Sequence, residues 1–326
     1  MRHFRGEDET AVLAMLQVAF GRWPRGLDGV GGAEFFAWKH RASPFGPSTL
    51  LVAELAGSVV GFVGLMPWRL RFSGQIRQTI RGVDLVVDPS HRRRGVSMRL
   101  IEAVRDSYGP DIALGWSNPN ERSRPGVLKS GRERVAGLPT YITAGLPAPG
   151  ASRRGAAPGR RDAAAQDGTL DAAAALGDDE LFARVLSRDA ERRDRIATAR
   201  DVEFLRWRYG QSPVYRASVA SRNERVAIAI FRVQQRGRLR LARICELLPG
   251  DGDVALARRL VRDVRRASAA HALTCAFPAS RTAALCGFVR SPRATIIAAN
   301  QLHHDLVPDP TSPRSWALSL GDLELI

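Results

Sequence analysis

Val83-Asp84-Leu85-Val86-Val87-Asp88-Pro89-Ser90-His91-Arg92-Arg93-Arg94-Gly95-Val96-Ser97 contains the end of a strand, a basic turn and the start of a helix. Its β-branched run favours extended backbone, and Asp88-Pro89 ends it. Downstream, Val96, Leu100, Ile101 and Val104 fall on one face of a helix. The first N–H groups of such a helix lack partners within it, and its dipole favours an anion there. Gly95 lets backbone approach a ligand without Cβ interference, and the arginines add charge-assisted contacts. These properties describe a diphosphate cradle. It is not a Walker loop, since no Gly-Lys-Ser/Thr is present, nor does it have the three glycines of a dinucleotide fingerprint.

Working outward, Ile112–Ser117 reads as a strand, followed by Asn118-Pro119-Asn120, a short helix reaching Gly131, and a last strand over Arg134–Ile142. Upstream, Val12, Met15, Leu16, Ala19 and Phe20 share a helix face, and Phe35 to Arg41 suits a second helix stopped by Ser43-Pro44. Strands are expected at Thr49–Leu55, Val59–Trp68 and Ile80–Val87, with a turn at Ser73-Gly74. The apolar stretch Thr49–Trp68 approaches membrane-spanning length. However, Glu54 and Ala56-Gly57-Ser58 split it into a hairpin, so no membrane association is expected.

The frame strand, proline, Arg92-Arg93-Arg94-Gly95-Val96-Ser97, helix resembles the acyl-CoA signature of the GNAT superfamily, with Ser97 at the usual small final position. The resemblance implies acetyl-CoA or another acyl-CoA as cofactor. Leu85, Val86 and Val87 would offer backbone groups to the pantetheine arm, Arg92 to Ser97 would hold the diphosphate, and Asn118 would follow the next strand. It also implies transfer of an acyl group to a primary amine, with Asp84 as first candidate for the base and Glu121 as a weaker one. Asp88 is expected to tune the turn and His91 to face solvent. Many members place a tyrosine four residues before the glycine equivalent to Gly131; here that position is Val127, so the usual proton donor to the departing thiolate is missing.

Glu34-Phe35-Phe36-Ala37-Trp38-Lys39-His40-Arg41-Ala42-Ser43-Pro44 recurs, 169 residues on, as Glu203-Phe204-Leu205-Arg206-Trp207-Arg208-Tyr209-Gly210-Gln211-Ser212-Pro213. Trp38 and Trp207 are expected to pack rather than to bind substrate. Between the copies, 146–177 is poor in large apolar residues and opens with Leu146-Pro147-Ala148-Pro149-Gly150, as a flexible linker would. The expected architecture is α/β (α+β): two tandem GNAT-like domains, each a mixed, mainly antiparallel sheet flanked by helices. Residues 1–145 would bind acyl-CoA and 178–326 would be a degenerate copy. In that copy Ile244-Cys245-Glu246-Leu247-Leu248-Pro249 leads into Gly250-Asp251-Gly252-Asp253, an acidic run that would repel a diphosphate.

Hydrophobic residues make up 44% of the 326 residues, enough for a core in each half. The formal charge of +16 attracts polyanions. Lysine occurs only at Lys39 and Lys129, and the arginines are spread along the chain without an aromatic-interleaved stripe, so nucleic acid is not the expected partner. Met1–Glu7 is charged and lacks an apolar leader core, which points to a cytoplasmic protein. Cys245, Cys275 and Cys286 have neither zinc-like nor redox spacing, and His303-His304-Asp305 lacks a fourth ligand, so no metal is expected. The ending Ser315-Trp316-Ala317-Leu318-Ser319-Leu320-Gly321-Asp322 is similar to tandem GNAT proteins of bacterial polysaccharide and natural-product clusters. That likeness implies a small-molecule amine acceptor such as an amino sugar. A peptide amine as acceptor, or a non-catalytic protein binding CoA or a partner, are the alternatives. The sequence does not set an oligomeric state.

Overall fold

The computed structural model describes residues 1–24, 27, 29–131, 133–145, 170–190, 195–250, 252–277, 280–292 and 294–323. In chain order the strands are β1 (Arg2–His3), β2 (Thr49–Leu55), β3 (Ser58–Phe72), β4 (Gln75–Val87), β5 (Leu114–Ser117), β6 (Glu133–Leu138), β7 (Tyr141–Ala144) and β8 (Leu170–Asp171). They continue as β9 (Ala197–Thr198), β10 (Tyr215–Arg222), β11 (Arg225–Arg236), β12 (Leu239–Leu248), β13 (Ala272–Cys275), β14 (Val289–Arg290) and β15 (Thr295–Gln301). Two mixed sheets result. One runs β1-β2-β3-β4-β5-β15-β6 with β9 alongside β3, the other β14-β7-β13-β12-β11-β10-β8. Helices α1 (Glu9–Phe20) and α2 (Gly32–His40) pack on one face of the first sheet through Val12, Leu16, Phe35 and Phe36. On the other face, α3 (Val96–Asp106) packs through Leu100 and Val104.

The strand expected over Arg134–Ile142 is two strands in different sheets. Pro139 has no N–H to continue a ladder, and the chain crosses there from β6 to β7. β7 pairs with β13 and β14 of the second sheet, whereas β15, from late in the chain, inserts between β5 and β6 of the first. Each half therefore completes the other's sheet. Of the segment 146–177, residues 146–169 lie outside the described residues; Leu170–Asp171 pairs with β10 and Ala172–Ala175 is a helical turn.

The recurring segments meet face to face. The Trp38 and Trp207 rings stack at 4.8 Å, and each indole N–H donates to the other's backbone carbonyl, at 2.8 and 3.0 Å. The stacking and both satisfied donors make this pair a structural clamp between the halves. The next residues of each copy turn to a carboxylate on the strand behind. Lys39 and His40 reach Asp84 on β4, and Tyr209 donates to Glu246 on β12 at 2.7 Å. Both strands carry an irregularity at this point, and each runs parallel to the next strand, β4 to β5 and β12 to β13. All three cysteines are buried and unpaired. Among the described residues, no helix is long and apolar enough to cross a membrane.

Candidate active site

β4 pairs with β5 only over Thr79–Arg81. Beyond that the strands diverge: β4 shifts register against β3, and Asp84 adopts a positive φ of 54°. A bulge of this kind bends the strand and re-aims side chains. It leaves Gly82 to Val86 with no strand on the β5 side among the described residues, an edge on which an extended amide-bearing chain can pair. A cavity of about 200 Å³ fills the gap, and Gly82, Val83, Asp84, Leu85, Ser117 and Asn118 are among its walls. It adjoins a second cavity of about 270 Å³, lined by Leu85, Val86, Val87, Arg92, Ser97 and Arg122 among others. Phe20, Leu85, Ile101, Asn120 and Ser123 border both, so the two form one groove.

The outer end of this groove is the cradle. Gly95 is the N-cap of α3 with φ 79°, provides no side-chain cap, and would meet nothing within 4 Å if it carried a Cβ. The first N–H groups of α3 therefore receive no side-chain cap from Gly95, and the space beside its Cα is open. Arg92 lines the groove and anchors through its Nε to the Val87 carbonyl (3.2 Å), while Arg93, Arg94 and Gly95 are exposed. Val96 packs toward the core beneath. Asp88 caps the turn by accepting from the Ser90 N–H at 2.9 Å, and His91 lies against it at 3.3 Å. The structure thus brings Leu85, Val86, Val87, Arg92 and Ser97 around one groove, with Gly95 and Val96 at the helix start.

The corresponding place in the second half is closed. There the helix Val254–Ser268 is capped by Asp253, whose carboxylate accepts from the Ala255 and Leu256 N–H groups, both at 3.1 Å. The carboxylate occupies the anion position itself. Phe277 and Leu256 help reduce the space beside Leu247, Leu248 and Pro249 to about 20 Å³.

At the inner end of the groove, Asp84 is the most constrained group. Its side chain is 8% exposed and its carboxylate takes Lys39 Nζ at 2.8 and 2.9 Å and His40 Nε2 at 3.1 Å. Burial alone would raise its pKa, but Lys39 and His40 together outweigh burial and hold it well below the usual carboxylate range. Burial lowers the pKa of both Lys39 and His40. Gly64 gives His40 its place, since a Cβ there would stand 2.7 Å from the ring.

Arg81 forms the floor. Its guanidinium lies over Trp68 (5.1 Å) and Trp116 (4.8 Å), and it donates to the backbone carbonyls of Asp322 and Leu323 and to Asn118 Oδ1 at 2.9 Å. Burial lowers its pKa to about 9. Asn118 also donates from Nδ2 to the Leu323 carbonyl at 2.7 Å, so this side chain fixes the late segment Leu320–Leu323 against the cavity. Glu121 is exposed and lines neither cavity. Val127 is buried and lines the inner cavity, and no tyrosine lines either one among the described residues. Lys39, His40, Arg81, Ser117, Ser123 and Leu323 are site residues that the sequence alone did not single out.

A second buried cluster holds Leu320–Leu323 from behind. Arg200 pairs with both Asp322 and Glu246, the latter at 3.2 Å, and Glu246 also accepts from Tyr209 and from Ser319 at 2.9 Å. One guanidinium serves two carboxylates, and burial, then the neighbouring Asp322, raise the Glu246 pKa from 4.5 to about 7. The folded value lies above the unfolded one, so Glu246 stabilises fully below the unfolded pKa. That stability is lost as pH rises through about 7. Between about pH 5 and 8 the expected loss is about 2 kcal/mol, and urea denaturation of Glu246→Gln should lack this component. An unchanged slope in the variant would place the titration elsewhere.

Comparison with known proteins agrees with the geometry. A family model described as an acetyltransferase (GNAT) domain matches residues 1–113, about a third of the chain. No curated protein matches the sequence. Among solved structures, a GCN5-related N-acetyltransferase from Anabaena variabilis is 11% identical with a TM-score of 0.63, over 93% of this chain and 73% of that one. A probable N-acyltransferase from Enterococcus faecalis is 12% identical with a TM-score of 0.59, over 92% and 72% of the two chains. A GCN5-related N-acetyltransferase from Kribbella flavida is 14% identical with a TM-score of 0.58, over 92% and 70%. At such identities the shared property is the fold. The chain has the fold of the GCN5-related N-acetyltransferases, and its residues 1–113 match the model of a GNAT acetyltransferase domain.

Proposed function

We propose that this protein is an acyl-CoA-dependent N-acyltransferase acting on a primary amine of a small molecule, and that it arose by tandem duplication with only the first copy keeping the cofactor site. The observation that carries the reading is the contrast between the two halves. An open groove of two joined cavities leads to an uncapped helix start in the first, against a self-capped helix and about 20 Å³ in the second.

Acyl-CoA would supply a thioester whose carbonyl carbon accepts the amine nitrogen, with the C–S bond breaking and the proton released by the amine passing to the departing thiolate, so that amide and CoA thiol result. The open edge from Gly82 to Val86 would hold the arm by β-type hydrogen bonds, and Arg92 with the first N–H groups of α3 and the flanking Arg93 and Arg94 would hold the diphosphate. Asp84 has about four lone-pair positions and uses three on Lys39 and His40. The remaining one can accept an amine N–H. With its pKa held low, this carboxylate orients the amine and stabilises the developing ammonium rather than keeping the proton. Ser123 lines both cavities, and its hydroxyl, now directed to Asn120 Oδ1 at 3.3 Å, would turn to donate toward the leaving sulfur in a chain with valine at position 127.

Turnover of acetyl-CoA and longer acyl-CoAs against a panel of amino sugars, other small amines and peptides tests the reading. Amine-dependent release of CoA thiol is expected with a small amine. Saturable binding without turnover of any acceptor would instead make the protein a CoA-binding relative of these enzymes.

A further inference from the structure

Leu320–Leu323 is gripped from two sides. On the first-half side the carbonyls of Asp322 and Leu323 accept from Arg81, and the Leu323 carbonyl also accepts from Asn118 Nδ2 at 2.7 Å. On the second-half side the Gly321 carbonyl accepts from Arg208 at 3.3 Å, Arg200 takes the Asp322 carboxylate, and Ser319 donates to Glu246 at 2.9 Å. Ser319 and Asp322 also bind each other. The Ser319 N–H donates to Asp322 Oδ2 at 2.8 Å and the Asp322 N–H to Ser319 Oγ at 3.0 Å. The two side chains that shape the segment are therefore the two that Arg200 and Glu246 hold. A movement there passes to the carbonyls that seat Arg81 and Asn118 in the wall of the inner cavity.

The Glu246 and Arg200 side chains are 1% and 4% exposed, and neither lines the groove. The other titratable or charged groups around them are Asp322 from the late segment, Tyr209 and Arg208 from the recurring segment, Asp189 from the helix Asp179–Ala190, and the thiols of Cys245 and Cys275. Arg208 is engaged by Tyr215 and Gly321, so Arg200 is the cation that Glu246 and Asp322 share. With a proton on Glu246, Arg200 and Asp322 balance. Without it a buried negative charge is left over, which is costly until water reaches it. Lifting Leu320–Leu323 from β12 would admit that water.

Resting on the acyl-CoA reading, we infer that Glu246 and Arg200 are positioning residues for the amine acceptor, acting through Leu320–Leu323 on Arg81 and Asn118. The second half is then a latch on the first half's site, closed while Glu246 is protonated and loosened as it ionises.

Hydrogen-exchange mass spectrometry of the whole protein at about pH 5, 6 and 7 tests the latch. It is read at the amides of Ser319, Asp322 and Leu323, all bonded in the closed segment. Opening returns Glu246 from about 7 toward its ordinary 4.5, so each opening releases a proton. Opening should therefore grow about tenfold per pH unit, beyond the exchange reaction's own pH dependence. Glu246→Gln, which keeps an acceptor for Tyr209 and Ser319 but cannot ionise, should lose that factor. The segment should also exchange faster than the amides of β11, which open with the core. Equal slopes in wild type and Glu246→Gln, or a segment no faster than β11, would overturn the latch.

Arg200→Lys keeps the charge but not the fork that reaches both carboxylates. With the best amine of the panel above, it should raise the Michaelis constant for the amine about tenfold, as for loss of one hydrogen bond, and leave acetyl-CoA affinity in calorimetry unchanged. A fall in kcat with the amine constant unchanged would overturn the positioning role. Should Arg200→Lys fail to fold, or no amine be turned over, the exchange slopes decide. Absence of acetyl-CoA binding in the wild type would overturn the acyl-CoA reading, and with it the acceptor role.

Discussion

Asp84→Asn should destabilise the protein by about 3–5 kcal/mol, because removing one partner of a buried ion pair leaves the other charge uncompensated. The orphaned group is Lys39 Nζ, on a side chain only 2% exposed. Asparagine is nearly isosteric and tolerates positive φ, so the backbone at φ 54° is not the source of the loss. Adding Lys39→Met should recover most of the stability, since an apolar chain of similar length then fills the site. The pH dependence has a definite sign. The folded pKa of Asp84 lies below its ordinary value of 3.8, so the pair's contribution is full above that pH and is lost as pH falls below it. Wild-type protein should therefore lose stability on acidification that the double variant does not lose. Chemical denaturation from about pH 3 to 7 measures both effects.

The same variants separate bracing from chemistry. If Asp84 orients the amine, turnover should fall by about 10²–10³ in Asp84→Asn and stay low in the refolded double variant, as for loss of a preorganised electrostatic partner. Recovery of turnover together with stability would show that Asp84 only holds Lys39 and His40 in place.

The fifteen residues from Val83 to Ser97 disclose the fold because their signals are local: a valine-rich run, a proline stop, a glycine at the helix start. The recurrence of Trp38 at Trp207 likewise points to a packing role for each, and the structure stacks the two rings on each other. The exchange of β7 and β15 is not legible, because strand pairing between residues more than a hundred positions apart leaves no local trace. Arg134–Ile142 reads as one strand unless Pro139 is given more weight than the apolar residues around it. The partners of Asp84 are hidden for a related reason. Lys39 and His40 are ordinary last-turn helix residues in sequence, and only the tertiary fold aims them at β4. One signal was present: Lys39 is one of two lysines in an arginine-rich chain and aligns with Arg208. A compact ammonium fits between two carboxylate oxygens where a planar guanidinium would need a fork. Arg81 and Leu323 gave no such signal, since their contacts with each other, with Asn118 and with the Trp68 and Trp116 rings form only in the tertiary fold.

Gly95→Asp should weaken acyl-CoA binding by roughly a hundredfold, and Gly95→Asn by only a few-fold. The two side chains match in size and both tolerate the left-handed conformation that φ 79° requires, so strain is common to both. Space is also common, since a Cβ there meets nothing. What differs is one negative charge at the place assigned to the diphosphate. At roughly 6 Å and an effective dielectric constant of about 20, a pair of unit charges repels by about 3 kcal/mol, which is the hundredfold. The second half performs this substitution naturally by placing Asp253 at its helix start. Because Gly95 is exposed, the difference between the variants should shrink as salt is raised from ~0.05 to ~0.5 M, whereas a loss caused by misfolding would not. Calorimetry at two salt concentrations reads this directly. Equal affinity of the aspartate and asparagine variants at low salt would mean that the diphosphate lies elsewhere, and the groove from Leu85 to Arg92 would then need a different ligand.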